Sequence, residues 1–470
     1  MSWKDAFPKE NRYFETENGI LCNSDALEIL KQMPDNCIDT VITDPPYGLS
    51  KHSEKTIREV FGKWLSGEED YVPQKKGFMG KAWDAFVPPP ALWKEVYRIM
   101  KPGGTILVFA GARTQDLMAM SLRLAGFEIK DTLMWLYGSG FPKATDISKQ
   151  IDKKFGAERK VIGKNQWASR RPRKEYNHNQ KWGKTLGGSD SANITAPATP
   201  EAKQWEGYKS HGLKPAYEPI IMAMKPNEGS YAENALKWGV AGLNIDGARI
   251  PTTQQDEYDL VKRPISKASN KPTNINFTGR YKDLKHGVTN QGRFPANILL
   301  DEEAAKMLDE QSGVLKSGGS GNKYKRNPNY NASSYKFGGK GRIDIPPSTG
   351  GASRFFYVAK ASAKERNMGL SEELKNSHPT VKPLKLIEYL VKLTLMPNEN
   401  QIYLDPFLGS GTTAMACEKL QRKWIGIELN SEYCEIAKAR IEYWCKQFGK
   451  SKENVKGTAS KEIEQLKFNF

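Results

Sequence analysis

The stretch Asp405-Pro406-Phe407-Leu408-Gly409-Ser410-Gly411-Thr412-Thr413 decides the fold. An apolar run over 401–404 precedes it and an alanine-containing apolar run over 412–420 follows, so the chain reads as strand, glycine-rich turn and helix. Glycines in such a turn let backbone approach a ligand, and the helix aims its first N–H groups at an anionic moiety. No Gly-Lys-Ser/Thr follows, which excludes a Walker A loop. The next strand, 423–428, ends at Glu428, where a carboxylate can accept hydrogen bonds from both hydroxyls of a ribose.

Strand and helix signals alternate on either side of this turn. On the amino-terminal side the pattern predicts a strand over 38–43, a helix over 91–100 after Pro88-Pro89-Pro90, and a buried strand over 105–109 after Pro102-Gly103-Gly104. A helix over 114–124, stopped by Gly126, and a strand over 128–136 complete that half. A strand over 355–359 and helices over 384–395 and 431–444 belong to the other half. This is α/β layering, with a doubly wound, mostly parallel sheet expected. Between them the texture shifts to Gly, Asn, Ser, Lys and aromatic residues, as in Ser317-Gly318-Gly319-Ser320-Gly321-Asn322. We therefore divide the chain into 1–137 and 354–446 as two halves of one core, 138–353 as an inserted region, and 447–470 as a basic flexible tail. Within the insert, 215–225 carries a strand signal that returns it to the core sheet.

A second motif, Asp44-Pro45-Pro46-Tyr47, stands at the end of the 38–43 strand. Two prolines rigidify the loop and present a carboxylate beside an aromatic ring. That pairing suits a planar amine: Asp44 and the Pro45 carbonyl can each accept one N–H of an exocyclic NH2, and Tyr47 can stack on the ring.

Composition narrows the partners. Lys and Arg number 71 against 54 Asp and Glu, a net charge of +17 that favours a polyanion, either nucleic acid or an anionic membrane surface. A mean hydropathy of -0.64 and the absence of any apolar run near ~18 residues exclude a membrane-spanning helix. Five cysteines without a Cys-x-x-Cys pair imply a reduced, cytoplasmic compartment and no structural metal. A basic structural or ribosome-associated protein is the bland alternative.

The order and content of the motifs resemble the S-adenosylmethionine-dependent DNA amino-methyltransferases, the N4-cytosine/N6-adenine methylase family. The resemblance is to the subgroup whose Asp-Pro-Pro-Tyr precedes the cofactor loop, including phage and prophage members. Cys22-Asn23-Ser24-Asp25 resembles the segment whose acid faces the cofactor adenine, and His378-Pro379-Thr380-Val381-Lys382-Pro383 resembles the His-Pro-Thr-x-Lys-Pro segment before the loop. Lys101-Pro102-Gly103-Gly104 fits the turn before the fifth strand. The resemblance covers about residues 18–137 and 354–446. It implies a Rossmann-like methyltransferase sheet with long inserted DNA-recognition segments, catalysis by Asp44, Pro45, Pro46 and Tyr47, and S-adenosylmethionine held by Asp25, Thr380, Lys382, Asp405, Phe407, Gly409, Gly411, Thr412 and Glu428. The substrate it implies is duplex DNA, methylated at adenine N6 after base flipping, with cytosine N4 as the alternative. A homodimer and a cytoplasmic setting in a bacterium or phage-infected cell are compatible with it, and a restriction partner is left open. One departure stands out: Trp135-Leu136-Tyr137 occurs where many relatives carry Trp-x-Lys.

Two other readings fit less well. A DNA-binding protein with a degenerate core would have lost Asp44, Tyr47 or the glycine turn, and a protein-glutamine methylase carries Asn-Pro-Pro-Tyr after the cofactor loop. His378 suits a structural cap. Trp83 is either a pocket or a core residue, and Arg170-Arg171-Pro172-Arg173-Lys174 and Lys323-Tyr324-Lys325-Arg326 are candidate phosphate contacts.

Overall fold

A computed structural model of the chain describes residues 2–50, 52–74, 84–138, 140, 144–164, 193–251, 292–317, 348–359, 365–371, 376–378 and 380–447. Trp83 and the two basic runs, 170–174 and 323–326, lie outside these residues. The chain divides into two compact units, one of Met1–Gly138 with Tyr217–Phe470, the other of Ser139–Ala216.

The larger unit is built on a ten-stranded sheet. Its strands are β1 (Arg12–Glu15), β2 (Gly19–Asn23), β3 (Ile38–Thr43), β4 (Met100–Phe109), β5 (Glu128–Leu136), β8 (Tyr217–Met224), β9 (Ile298–Asp301), β12 (Tyr357–Ala359), β13 (Ile402–Asp405) and β14 (Lys423–Glu428). A hairpin of β6 (Val161–Lys164) and β7 (Asn193–Thr195) lies in the smaller unit, and β10 (Leu315–Ser317) pairs with β11 (Ser348–Gly350). The sheet order is β1-β2-β14-β13-β3-β4-β8-β5-β9-β12. From β2 to β4 all neighbours are parallel. β8 runs antiparallel to both β4 and β5, and parallel pairing resumes with β9 and β12.

Alternation along the central strands explains why both faces are covered. Ile20, Cys22, Val41, Ile106, Val108, Ile425 and Ile427 point into one apolar cluster, with Trp93, Val96 and Ile99 of the helix Pro90–Ile99. Their strand neighbours Leu21, Ile42, Leu107, Phe109, Tyr403 and Trp424 point into the other, with Leu386, Ile387 and Leu390 of the helix Leu384–Leu393. Successive side chains in a strand face opposite ways, so nearly unbroken apolar strands are what a sheet with helices on both sides requires.

Two details differ from the sequence reading. β4 begins at Met100 rather than after the Pro-Gly-Gly turn, because that turn is knitted into the sheet margin. Lys101 Nζ lies 2.6 Å from the buried Asp39, Asn234 donates to the Pro102 carbonyl at 2.8 Å, and Gly103 takes φ +77° where a Cβ would collide with Asn234. The span read as largely irregular also holds a helix, Tyr231–Trp238, and a β9-helix unit in which Asp301 caps Glu302–Ser312.

The smaller unit is organised around Asp152. Its buried carboxylate accepts from the Ala198 and Thr199 amides at 3.0 Å and pairs with Arg159 at 2.5 Å. Those backbone and side-chain bonds outweigh desolvation and hold its pKa down at about 2.

Candidate active site

The carboxyl ends of β3, β13 and β14 bring both motifs to one end of the central strands, the position where open α/β sheets bind ligands. Thr43, Asp44, Lys382, Asp405, Gly409 and Thr412 line a single cleft there.

The β13 side is made mostly of backbone. Gly409 donates its N–H to Glu428 Oε2 at 2.8 Å, and Asn430 N–H reaches Glu428 Oε1 at 2.9 Å, which fixes the carboxylate at the end of β14. Each oxygen keeps a second lone pair for a hydroxyl group. Burial nevertheless pushes the Glu428 pKa up, against those amides. Gly409 has φ +54°, and a Cβ there would lie 2.7 Å from His378 Nε2, so only glycine fits between the ring and the turn. Gly411 caps the helix Thr412–Lys419. Behind the turn, the fully buried Arg440 donates to the carbonyl of Ser410 and, at 2.7 Å, to its hydroxyl. Asp405 Oδ1 accepts from Thr43 Oγ1 at 2.7 Å and Phe407 N–H at 3.1 Å. Burial raises its pKa to about 7, more than these bonds lower it.

The β3 side is made of charge. Tyr47 Oη donates to Asp44 Oδ1 at 2.7 Å and lies 3.1 Å from Glu218 Oε2, while Lys382 Nζ sits 2.5 Å from Asp44 Oδ2 and 3.4 Å from Glu218 Oε2. Burial draws the Lys382 pKa downward, but the two carboxylates outweigh it and leave it above the ordinary lysine value. Burial, then Asp44 and Glu218, push the Tyr47 hydroxyl well up, so it stays a donor. Thr114 Oγ1 holds the Tyr47 carbonyl at 2.6 Å.

The expected site residues fall into two sets. Asp405, Phe407, Gly409, Thr412 and Thr380 all line the cleft, with Glu428 bonded to its glycine turn. Asp25 stands exposed, capping the helix Ala26–Gln32 through the Leu27 amide at 2.9 Å. Lys382, assigned to the cofactor by resemblance, has its ammonium on Asp44. Burial lowers the His378 pKa to about 4, and its neutral ring packs under the turn and against Tyr433. Sequence reasoning missed Glu218 and Arg440. The one signal for Glu218 is a carboxylate inside the otherwise apolar run of β8.

The DNA methylase family profile matches residues 38–439. The type II methyltransferase M.HindIII of Haemophilus influenzae is 21% identical over 435 residues, 89% of this chain and 94% of that protein. The type II methyltransferase M.HpaI of Haemophilus parainfluenzae is 42% identical over 82 residues, 17% of this chain and 26% of the relative, so this match spans about a quarter of that relative's length. A solved structure, the M1.HpyAVI-SAM complex, aligns over 90% of this chain and 98% of its own at 16% identity and a TM-score of 0.32. Because the profile match runs from the strand before Asp44 to the helix beyond Glu428, the chain belongs to the N6/N4 family of DNA methylases.

Proposed function

We propose that this protein is a site-specific DNA methyltransferase that moves a methyl group from S-adenosylmethionine to adenine N6 in duplex DNA. The observation that carries the reading is the single cleft joining Asp44 to the glycine turn. The residues fit the cofactor: Glu428 offers fixed lone pairs to a ribose, Gly409 lets the turn close over the His378 ring while its N–H orients that carboxylate, and Asp405 is a buried acid matched to a cationic ligand. When bound, S-adenosylmethionine supplies a methyl group on a sulfonium, and that carbon–sulfur bond breaks as the new nitrogen–carbon bond forms.

The chain's own residues do the rest. Asp44 and the Pro45 carbonyl accept the two amine hydrogens and turn the nitrogen lone pair out of the ring, while Tyr47 stacks on the base. After transfer the amine is a strong acid, and its extra proton leaves to Asp44 or to water. Catalysis is then chiefly positioning and polarisation. The target amine is buried in the base stack, so the base must be extruded at a cost of a few kcal/mol, offset by phosphate contacts that the chain's excess of 17 positive charges supports. Asp in the first motif position accompanies adenine more often than cytosine in this family, which supports N6.

Digesting DNA from cells expressing the chain to nucleosides and separating them by mass tests the reading. N6-methyladenine is expected, N4-methylcytosine alone overturns the base, and neither overturns the activity. Asp44→Ala should cut methylation by roughly a hundred- to a thousandfold while DNA binding persists.

A further inference from the structure

Asp44 has two carboxylate oxygens, and both are occupied: Oδ1 by the Tyr47 hydroxyl at 2.7 Å and Oδ2 by the Lys382 ammonium at 2.5 Å. The ammonium also lies over the Tyr47 ring, 5.5 Å from its centroid, and over Phe109 at 5.0 Å. It therefore holds both features that a base would use, the carboxylate and an aromatic face. An incoming amine must take the lysine's place on Asp44, and a lysine side chain only 7% exposed cannot be left without a counter-ion. One other carboxylate is within reach. Glu218 Oε2 is 3.4 Å from the same Nζ, and closing to the ~2.8 Å of a charge-assisted hydrogen bond needs a small swing of one side chain. Glu218 is tied to the Tyr47 hydroxyl at 3.1 Å, and among the described residues Tyr137, His378 and Asp405 are the other titratable groups that feel this cluster.

We propose that Glu218 is a positioning residue for target-base entry, receiving the Lys382 ammonium as Asp44 exchanges it for the exocyclic amine. The inference rests on the methyltransferase reading and deepens it. Lys382 is a stand-in for the substrate amine, and Glu218 makes its displacement electrically neutral. Without Glu218 the ammonium stays on Asp44 and competes with the base.

The test uses the full chain, unmethylated phage DNA and radiolabelled S-adenosylmethionine, with cofactor affinity measured by calorimetry as a second readout. Glu218→Gln removes one charge-assisted contact and should lower kcat/KM for DNA by about tenfold to a hundredfold, with cofactor affinity unchanged. Glu218→Asp, which keeps the charge, should recover part of that loss. The decisive variant is E218Q/K382M: with the competing cation gone, it should methylate faster than E218Q alone, an outcome that a purely structural glutamate does not produce. If E218Q equals wild type, or the double variant, shown to be folded by denaturant unfolding at the assay temperature, is slower than E218Q, the positioning role is wrong while the methyltransferase reading stands. No methylation by wild-type protein that binds the cofactor overturns the reading and this inference together.

Discussion

The two ends of the cleft are held by different physics. At the glycine turn, Gly409 and Asn430 amides clamp Glu428, and the ligand-facing surface is mainly backbone fixed by φ and by the helix that follows. At the Asp44 loop, a lysine 338 residues away and a glutamate 171 residues from Tyr47 converge into a largely buried charge cluster. A backbone-built site is rigid before its ligand arrives. A charge-built site is neutral only while its partners stay in place, and it rearranges when one of them is exchanged.

Three measurements break or sharpen that contrast, beginning with the largest effect. Lys382→Met leaves Asp44 and Glu218 facing each other across Tyr47, and breaking such a buried pair costs about 3–5 kcal/mol. Denaturant unfolding should show that loss. A cost below ~1 kcal/mol, the range of an exposed ion pair, would mean that the Asp44 end is not held by charge.

Glu428→Ala probes the other end. It removes the charge-assisted hydrogen bonds proposed for the ribose, worth about 1.5–3 kcal/mol, so cofactor affinity should fall roughly ten- to over a hundredfold by calorimetry. Unfolding stability should change less than in Lys382→Met, since Glu428 is held by backbone amides and its removal leaves no buried charge without a counter-ion. Unaltered affinity in the folded variant would remove Glu428 from the cofactor site.

Asp405 lies between the two ends, and its effect is the smallest. With a pKa near 7 in the free protein, it is partly protonated at neutral pH. A cationic ligand favours the ionised form, so binding releases a proton and affinity rises as pH increases through 7. The gain between pH 6 and 8 should be at most about tenfold, the full titration of one group. Asp405→Asn should flatten the part of the pH dependence that the cofactor's own amine does not supply. A slope identical to wild type would show that Asp405 does not titrate with binding.

The same contrast explains what was legible in the sequence. The glycine turn is contiguous, and its strand, turn and helix each leave a local signature, so Asp405, Gly409, Gly411 and Glu428 could be named from spacing. Asp44 and Tyr47 were legible for the same reason. The destination of the Lys382 ammonium was not, because a motif fixes its neighbours in the chain and not the carboxylate that its side chain meets across the sheet. Glu218 was hidden inside β8, where the run Pro-Ile-Ile-Met reads as a strand and says nothing about the acid at its head. β9 escaped for a different reason: four residues in a polar stretch carry too little periodicity to separate a strand from a turn.

The sheet order has a consequence for how the protein is made. β14 and β13 lie between β2 and β3, so strands that leave the ribosome early are neighbours in sequence but not in space. The facing edge of β3 gains its partner only after β13 has been synthesised and that of β2 only after β14, about 20–80 s later at ordinary elongation rates. Until then the amino-terminal half offers two unpaired edges flanked by apolar side chains, the template on which nascent chains associate. The cleft therefore cannot assemble before β14 has been made, and a chain truncated before β13 lacks the centre of its sheet as well as its glycine turn.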